Sequence, residues 1–238
     1  KAAFRPIPKF TYKCTNQDES DESILKQPNR VKAINLFTQS LEKFTFADWW
    51  SVPAKDLDAC IPSKKTEDGE RIANAELFGN SNLRVIKVLD PCYQTNYGGA
   101  NIFLLNRQNE KVYVSEIFDG FFNRNPDISV NFATNGKEQI IEISYATSGF
   151  NIPFYTNFYF AINPKNNLAI PKNLFVEDGK PTNQITSMMD MTDDKTLANP
   201  LQIIQKGRLA KSFYKLVDES GDENLKKKTL HWNGKIYQ

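Results

Sequence analysis

The stretch Ile128-Ser129-Val130-Asn131-Phe132-Ala133-Thr134-Asn135-Gly136-Lys137-Glu138-Gln139-Ile140-Ile141-Glu142-Ile143-Ser144-Tyr145 decides the fold. Ile128, Val130 and Phe132 alternate with Ser129, Asn131 and Ala133, the period of two that a half-buried strand requires. Asn135-Gly136 then supplies a strong short hairpin signal, and the chain returns through residues 139–145. Two antiparallel strands follow from this stretch alone.

The same pattern repeats on both sides. Residues 83–90 are β-branched and apolar, and residues 101–106 are apolar on both faces, as in a covered central strand. Residues 111–119 pair back across 107–110, a connection of hairpin length. Downstream, 153–163 is a long aromatic strand that turns at Asn163-Pro164-Lys165-Asn166-Asn167 into 168–175. Together these runs predict a mainly-β fold, an antiparallel meander over 83–175 that forms a sandwich or half-barrel.

Before the meander the chain changes character. Residues 1–28 read as an irregular arm, extended at Pro6 and Pro8 and solvated along Asp18-Glu19-Ser20-Asp21-Glu22. Val31, Ile34, Phe37, Leu41 and Phe44 recur at helical spacing behind Asn29, a residue suited to an N-cap. They predict an amphipathic helix over 29–46 packed on the β-structure. A looser segment, 176–238, follows the meander. In it 184–191 reads as a short helix, Pro200 opens a second one, and 209–217 fits strand or helix equally. Asp218 to Asn224 is a charged loop, and Asn233-Gly234 centres a terminal hairpin. The predicted organisation is an arm, 1–28, and a single β-rich domain, 29–238.

Composition narrows the function. The chain has 238 residues, 40% hydrophobic and 24% charged, which is long and apolar enough for a real core. A formal net charge of +2 argues against a dedicated nucleic-acid binder, and no apolar run has the length of a membrane span. Lys1 at the start fits a mature chain whose signal peptide has been removed, or a trimmed one. Three cysteines, Cys14, Cys60 and Cys92, allow one disulfide and one further thiol, or three reduced thiols. In the first case Cys60 pairs with Cys92, closing a loop of about thirty residues for roughly 3–4 kcal/mol. No Asn-x-Ser/Thr sequon occurs, which points to a bacterial periplasmic or extracellular protein.

Enzyme signatures are missing. His231 is the only histidine, so a His-rich zinc site is excluded by count, and no cofactor motif is present. No Gly-x-Ser-x-Gly elbow occurs, and Gly98-Gly99 lacks the helix start of a phosphate cradle. Asp218 to Asn224 lacks the spacing of a calcium loop. No catalytic or metal-binding residue is assigned, and the chain reads as non-catalytic. The enzyme alternative is a glycan hydrolase using Glu116 and Glu142. Period two puts Glu116 in phase with Val112, Val114 and Phe118, where burial would raise its pKa; a bulge would instead leave it in water.

The leading expectation is an exported protein that binds a protein partner, as an inhibitor, an immunity-type protein or an accessory subunit of an envelope assembly. Two surfaces fit. On 154–162 one face carries Phe154, Phe158, Phe160 and Ile162 as a core stripe, and the opposite face carries Tyr155, Asn157 and Tyr159. Tyrosine and asparagine together can stack and hydrogen-bond a partner; alternatively this face packs beneath another layer. Tyr93, Asn96 and Tyr97 beside Gly98-Gly99 form the second candidate, a binding loop. Lys226-Lys227-Lys228 reads as a guard against edge pairing or as an anion site.

Overall fold

The computed structural model describes residues 11–12, 71–72, 75–79, 82–89, 100–108, 111–118, 128–147, 154–189, 200–219 and 225–238. Every regular element within them is a β-strand, and every pairing between these strands is antiparallel. The protein is mainly β. The helix expected over 29–46, the three cysteines and the Tyr93, Asn96 and Tyr97 loop lie outside the described residues. Among the described residues no helix is long and apolar enough to cross a membrane.

Two compact units are present: Lys1–Pro126 with Pro164–Leu168, and Asp127–Asn163 with Ala169–Gln238. In the first, β1 (Thr11–Tyr12) pairs with β2 (Arg71–Ile72), so two residues of the arm form a strand. The meander of this unit runs β3 (Ala75–Gly79), β4 (Leu83–Leu89), β5 (Ala100–Gln108) and β6 (Lys111–Phe118), each beside the next. Ile102, Phe103, Leu104 and Leu105 are all buried, as a strand covered on both faces should be. On β4, Arg84 and Lys87 are buried as well, and burial followed by the charge of Arg107 lowers the Arg84 pKa. The ladder between β5 and β6 slips at Ile102/Phe103: Phe103 faces Glu116 but Ile102 faces Phe118. Ile117 is the extra residue of this bulge, and Glu116 is exposed.

The second unit is built on β7 (Ile128–Asn135), β8 (Glu138–Thr147), β9 (Phe154–Ile162) and β10 (Ala169–Pro171), ordered β10-β9-β8-β7. The β7–β8 hairpin forms where Asn135-Gly136 predicts it. Asn135 pairs with Glu138, so the two loop residues are Gly136 and Lys137. Positive φ at Gly136 (64°) without positive φ at Lys137 is the II′ pattern. After β10 come β11 (Phe175–Glu177), β12 (Lys180–Thr182) and β13 (Gln184–Met188), then β14 (Ile204–Gln205), β15 (Arg208–Leu209), β16 (Ser212–Asp218) and β17 (Leu225–His231). Asp178-Gly179 and Lys206-Gly207, with positive φ at all four residues, close the β11–β12 and β14–β15 hairpins.

Both helices expected after residue 176 are absent from the described residues. Gln184 to Met188 is a strand because β9 offers an unpaired edge, and Gln184↔Phe158 through Met188↔Phe154 complete the ladder. After Pro200, Leu201 takes a φ of 60°, a left-handed conformation that a right-handed helix excludes. Residues 212–218 resolve to strand, pairing with 225–231. The terminal hairpin forms as expected, bridged by Trp232↔Tyr237, with Asn233 Oδ1 accepting from the Lys235 and Ile236 amides at 2.9 Å each.

That hairpin carries Tyr237 into the core, where it is 1% exposed. Its ring meets Phe213 edge-on at 4.9 Å and stacks with Phe175 at 5.8 Å, and its hydroxyl donates to the Ala210 carbonyl at 2.7 Å. Phe175 in turn meets the Tyr159 ring at 5.4 Å. Four aromatic rings from β9, β11, β16 and the chain end thus form the centre of the unit, lined by Ile140, Ile185 and Ile203.

Candidate functional site

The register of the central sheet places one carboxylate deep inside it. Side chains alternate between the faces of a strand, so Asn131, Glu142 and Tyr159, which pair in a row across β7, β8 and β9, share one face. Asn157, two residues from Tyr159, stands on that face opposite Ser144. This is the face that packs on the aromatic core.

Glu142 is 3% exposed and is held by neutral donors. The Tyr159 hydroxyl donates to Oε2 at 2.5 Å, the Asn157 amide to the same oxygen at 3.3 Å, and the Asn131 amide to Oε1 at 2.9 Å. Asn157 also donates to the Tyr159 hydroxyl at 3.0 Å and to the Leu201 carbonyl at 3.2 Å, which ties the left-handed Leu201 turn to the sheet. Among the described residues no cation pairs with Glu142. Burial raises the Glu142 pKa, while the hydrogen bonds from Tyr159, Asn131, Asn157 and Ser144 pull it down. Burial, and then the charge of Glu142, hold the Tyr159 hydroxyl in its protonated donor form.

Of the face expected to meet a partner, Asn157 and Tyr159 are therefore interior, and Tyr155 is half-buried beside the core. Both faces of β9 are covered, because Thr156 and Phe160 on the other face are also buried. A tyrosine or asparagine on a strand is ambiguous by period alone, since it tolerates burial once its polar atom finds a partner. The partner here is Glu142, the fifth residue of an isoleucine-rich central strand. That placement, Ile140-Ile141-Glu142-Ile143, was the available signal. Of the two carboxylates singled out for chemistry, Glu142 is buried in the second unit, and Glu116 is exposed in the first.

A cleft of about 250 Å³ in the second unit has Phe175 and Ile185 in its lining. The β11–β12 hairpin contributes Glu177 and Asp178 to its lining; β16 and β17 contribute Lys215 and Lys228. These lysines are direct cross-strand partners, and like charges so opposed destabilise a pair of strands by some tenths of a kcal/mol to about 1 kcal/mol. Their neighbours are engaged elsewhere. Lys226 forms an ion pair with Glu219 at 2.9 Å, and Lys227 sits 4.1 Å from the centre of the Tyr214 ring. Among the described residues neither Lys215 nor Lys228, nor Glu177 or Asp178, is in an ion pair. The run of three lysines thus divides: two members engage Glu219 and Tyr214, and the third lines a cleft.

Comparison with protein-family models, curated proteins and solved structures finds no match.

Proposed function

We propose that this chain is a non-catalytic exported bacterial protein that binds another macromolecule, as an inhibitor, an immunity-type protein or an accessory subunit of an envelope assembly. The observation that carries the binding reading is the cleft of the second unit. Its lining is mainly polar, with four charged side chains that form no close ion pair among the described residues, and Val176 beside them is 48% exposed. Binding sites combine apolar contact with a few polar groups that fix orientation. The proposal includes export with Cys60 and Cys92 as the disulfide pair, which three cysteines allow, and the lack of glycosylation sequons favours a bacterial over a glycosylated eukaryotic protein. The architecture proposed with it is a sandwich or half-barrel carrying the 29–46 helix.

The experiment is affinity capture from the source extract and medium, without reductant, on immobilised wild type and on Val176→Asp. A stoichiometric protein retained by the wild type and lost from the variant is the expected result. Equal retention by both would remove the cleft from the reading. A second reading, a glycan hydrolase, is favoured by one observation, the raised pKa of the Glu142 carboxyl. Against it, both carboxylate oxygens already accept hydrogen bonds inside the core. If Glu142 were a general acid, Glu142→Gln would lower glycan turnover by a factor of about 10² or more.

A further inference from the structure

We infer that the cleft of the second unit takes a dipolar peptide segment, one that presents an acidic and a basic side chain around an apolar residue. The inference rests on the binding reading above and names the ligand chemistry. Lys215 and Lys228 are cross-strand partners that both line the cleft, so two lysines border one space from adjacent strands. Each is a mobile point charge with three donors, suited to share a single carboxylate. Glu177 and Asp178 enter the same lining from the β11–β12 hairpin, where the left-handed Asp178-Gly179 loop closes the turn.

The two signs decide the ligand class. The charged lining totals two lysines and two carboxylates, which leaves no net field for a polyanion or a polycation. A phosphate or a sulfated glycan would satisfy the lysines and be repelled by Glu177 and Asp178. A polyamine would meet the reverse. A peptide carrying both signs complements both sets, and its intervening apolar side chain covers the exposed Val176. Thr182 and Gln184, also in the lining, supply neutral hydrogen-bonding groups for its backbone.

The test uses the full chain and a fluorescein-labelled, end-blocked hexapeptide containing one lysine and one aspartate among valines, followed by fluorescence anisotropy. Binding is expected, weakened by added salt and by about tenfold or more in the double variant Lys215→Gln, Lys228→Gln. Replacing the peptide aspartate by asparagine should cost the wild type the same factor and the double variant little. Circular dichroism confirms that the variant is folded, and Lys206→Gln, at the β14–β15 turn, should bind as the wild type does. Unchanged affinity in the double variant overturns the inference. So does preferential binding of a sulfated oligosaccharide. If the peptide fails to bind while capture of a partner still depends on Val176, the inference falls and the binding reading stands. Loss of both ends the binding reading too.

Discussion

Glu142→Gln keeps the length and planarity of the side chain and removes its charge, which isolates the cost of burying a carboxylate in the sheet. Burial raises the Glu142 pKa in the folded protein, so the native state holds this proton more tightly than the unfolded chain does. Stability from such a group is fully present below its unfolded pKa and is lost as pH rises toward and through the folded pKa. Each unit by which the pKa is raised costs about 1.4 kcal/mol once the pH exceeds both values. The amide escapes that cost. It still accepts from the Tyr159 hydroxyl, and the exposed Asn131 can turn its own amide to accept from the new NH2 group. Asn157 donates to the same oxygen as Tyr159 and keeps its acceptor there, so neither of these two bonds is lost. The variant should therefore match wild type to within about 1 kcal/mol near pH 4 and become the more stable of the two by about pH 8. Urea unfolding followed by fluorescence of Trp232, whose ring lies 4.9 Å from that of Tyr237, measures this locally. Trp49 and Trp50 are replaced by Phe in both proteins so that the signal comes from the second unit. A stability difference that stays constant over this pH range would refute the assigned role of burial.

Ser187→Ala tests how β13 joins β16. The Ser187 hydroxyl accepts from the Leu216 amide at 2.8 Å and donates to the Met188 carbonyl at 3.0 Å, in a site 1% exposed. Its removal strands a buried N–H and should cost about 1–3 kcal/mol, with faster hydrogen exchange at Leu216; unchanged exchange there would contradict the assignment. Gly79→Ala tests the β3–β4 connection. A Cβ would lie 2.4 Å from the Leu83 carbonyl oxygen at a φ of 139°, so backbone must move, and a loss of more than about 1 kcal/mol is expected in thermal unfolding. A variant as stable as wild type would show that this close approach is not maintained.

The strands of the central meander were legible because the hydrophobic period is local. Ile128 to Tyr145 alternates strongly enough that the hairpin follows from the residues themselves, whatever surrounds it. The helices expected after residue 176 failed for the complementary reason. Gln184 to Met188 has little preference of its own, and an edge of β9, far earlier in sequence, decides its conformation by hydrogen bonding. Asp178-Gly179 carried a hairpin signal as good as Asn135-Gly136, yet the three-residue strands on either side were too short to show a period.

The sequence by itself determined that this is a mainly-β protein and where the hairpins of its meander and its C-terminus turn, since turn chemistry and period two act over a few residues. Only the tertiary structure decided which faces are covered. Asn157 and Tyr159 became interior because Glu142, brought beside them by strand register, satisfies their polar atoms. Lys228 became part of a cleft because β16 and the β11–β12 hairpin bring Lys215, Glu177 and Asp178 into the same lining. Burial and charge pairing are sums over neighbours distant in the chain, and a linear pattern carries no record of them.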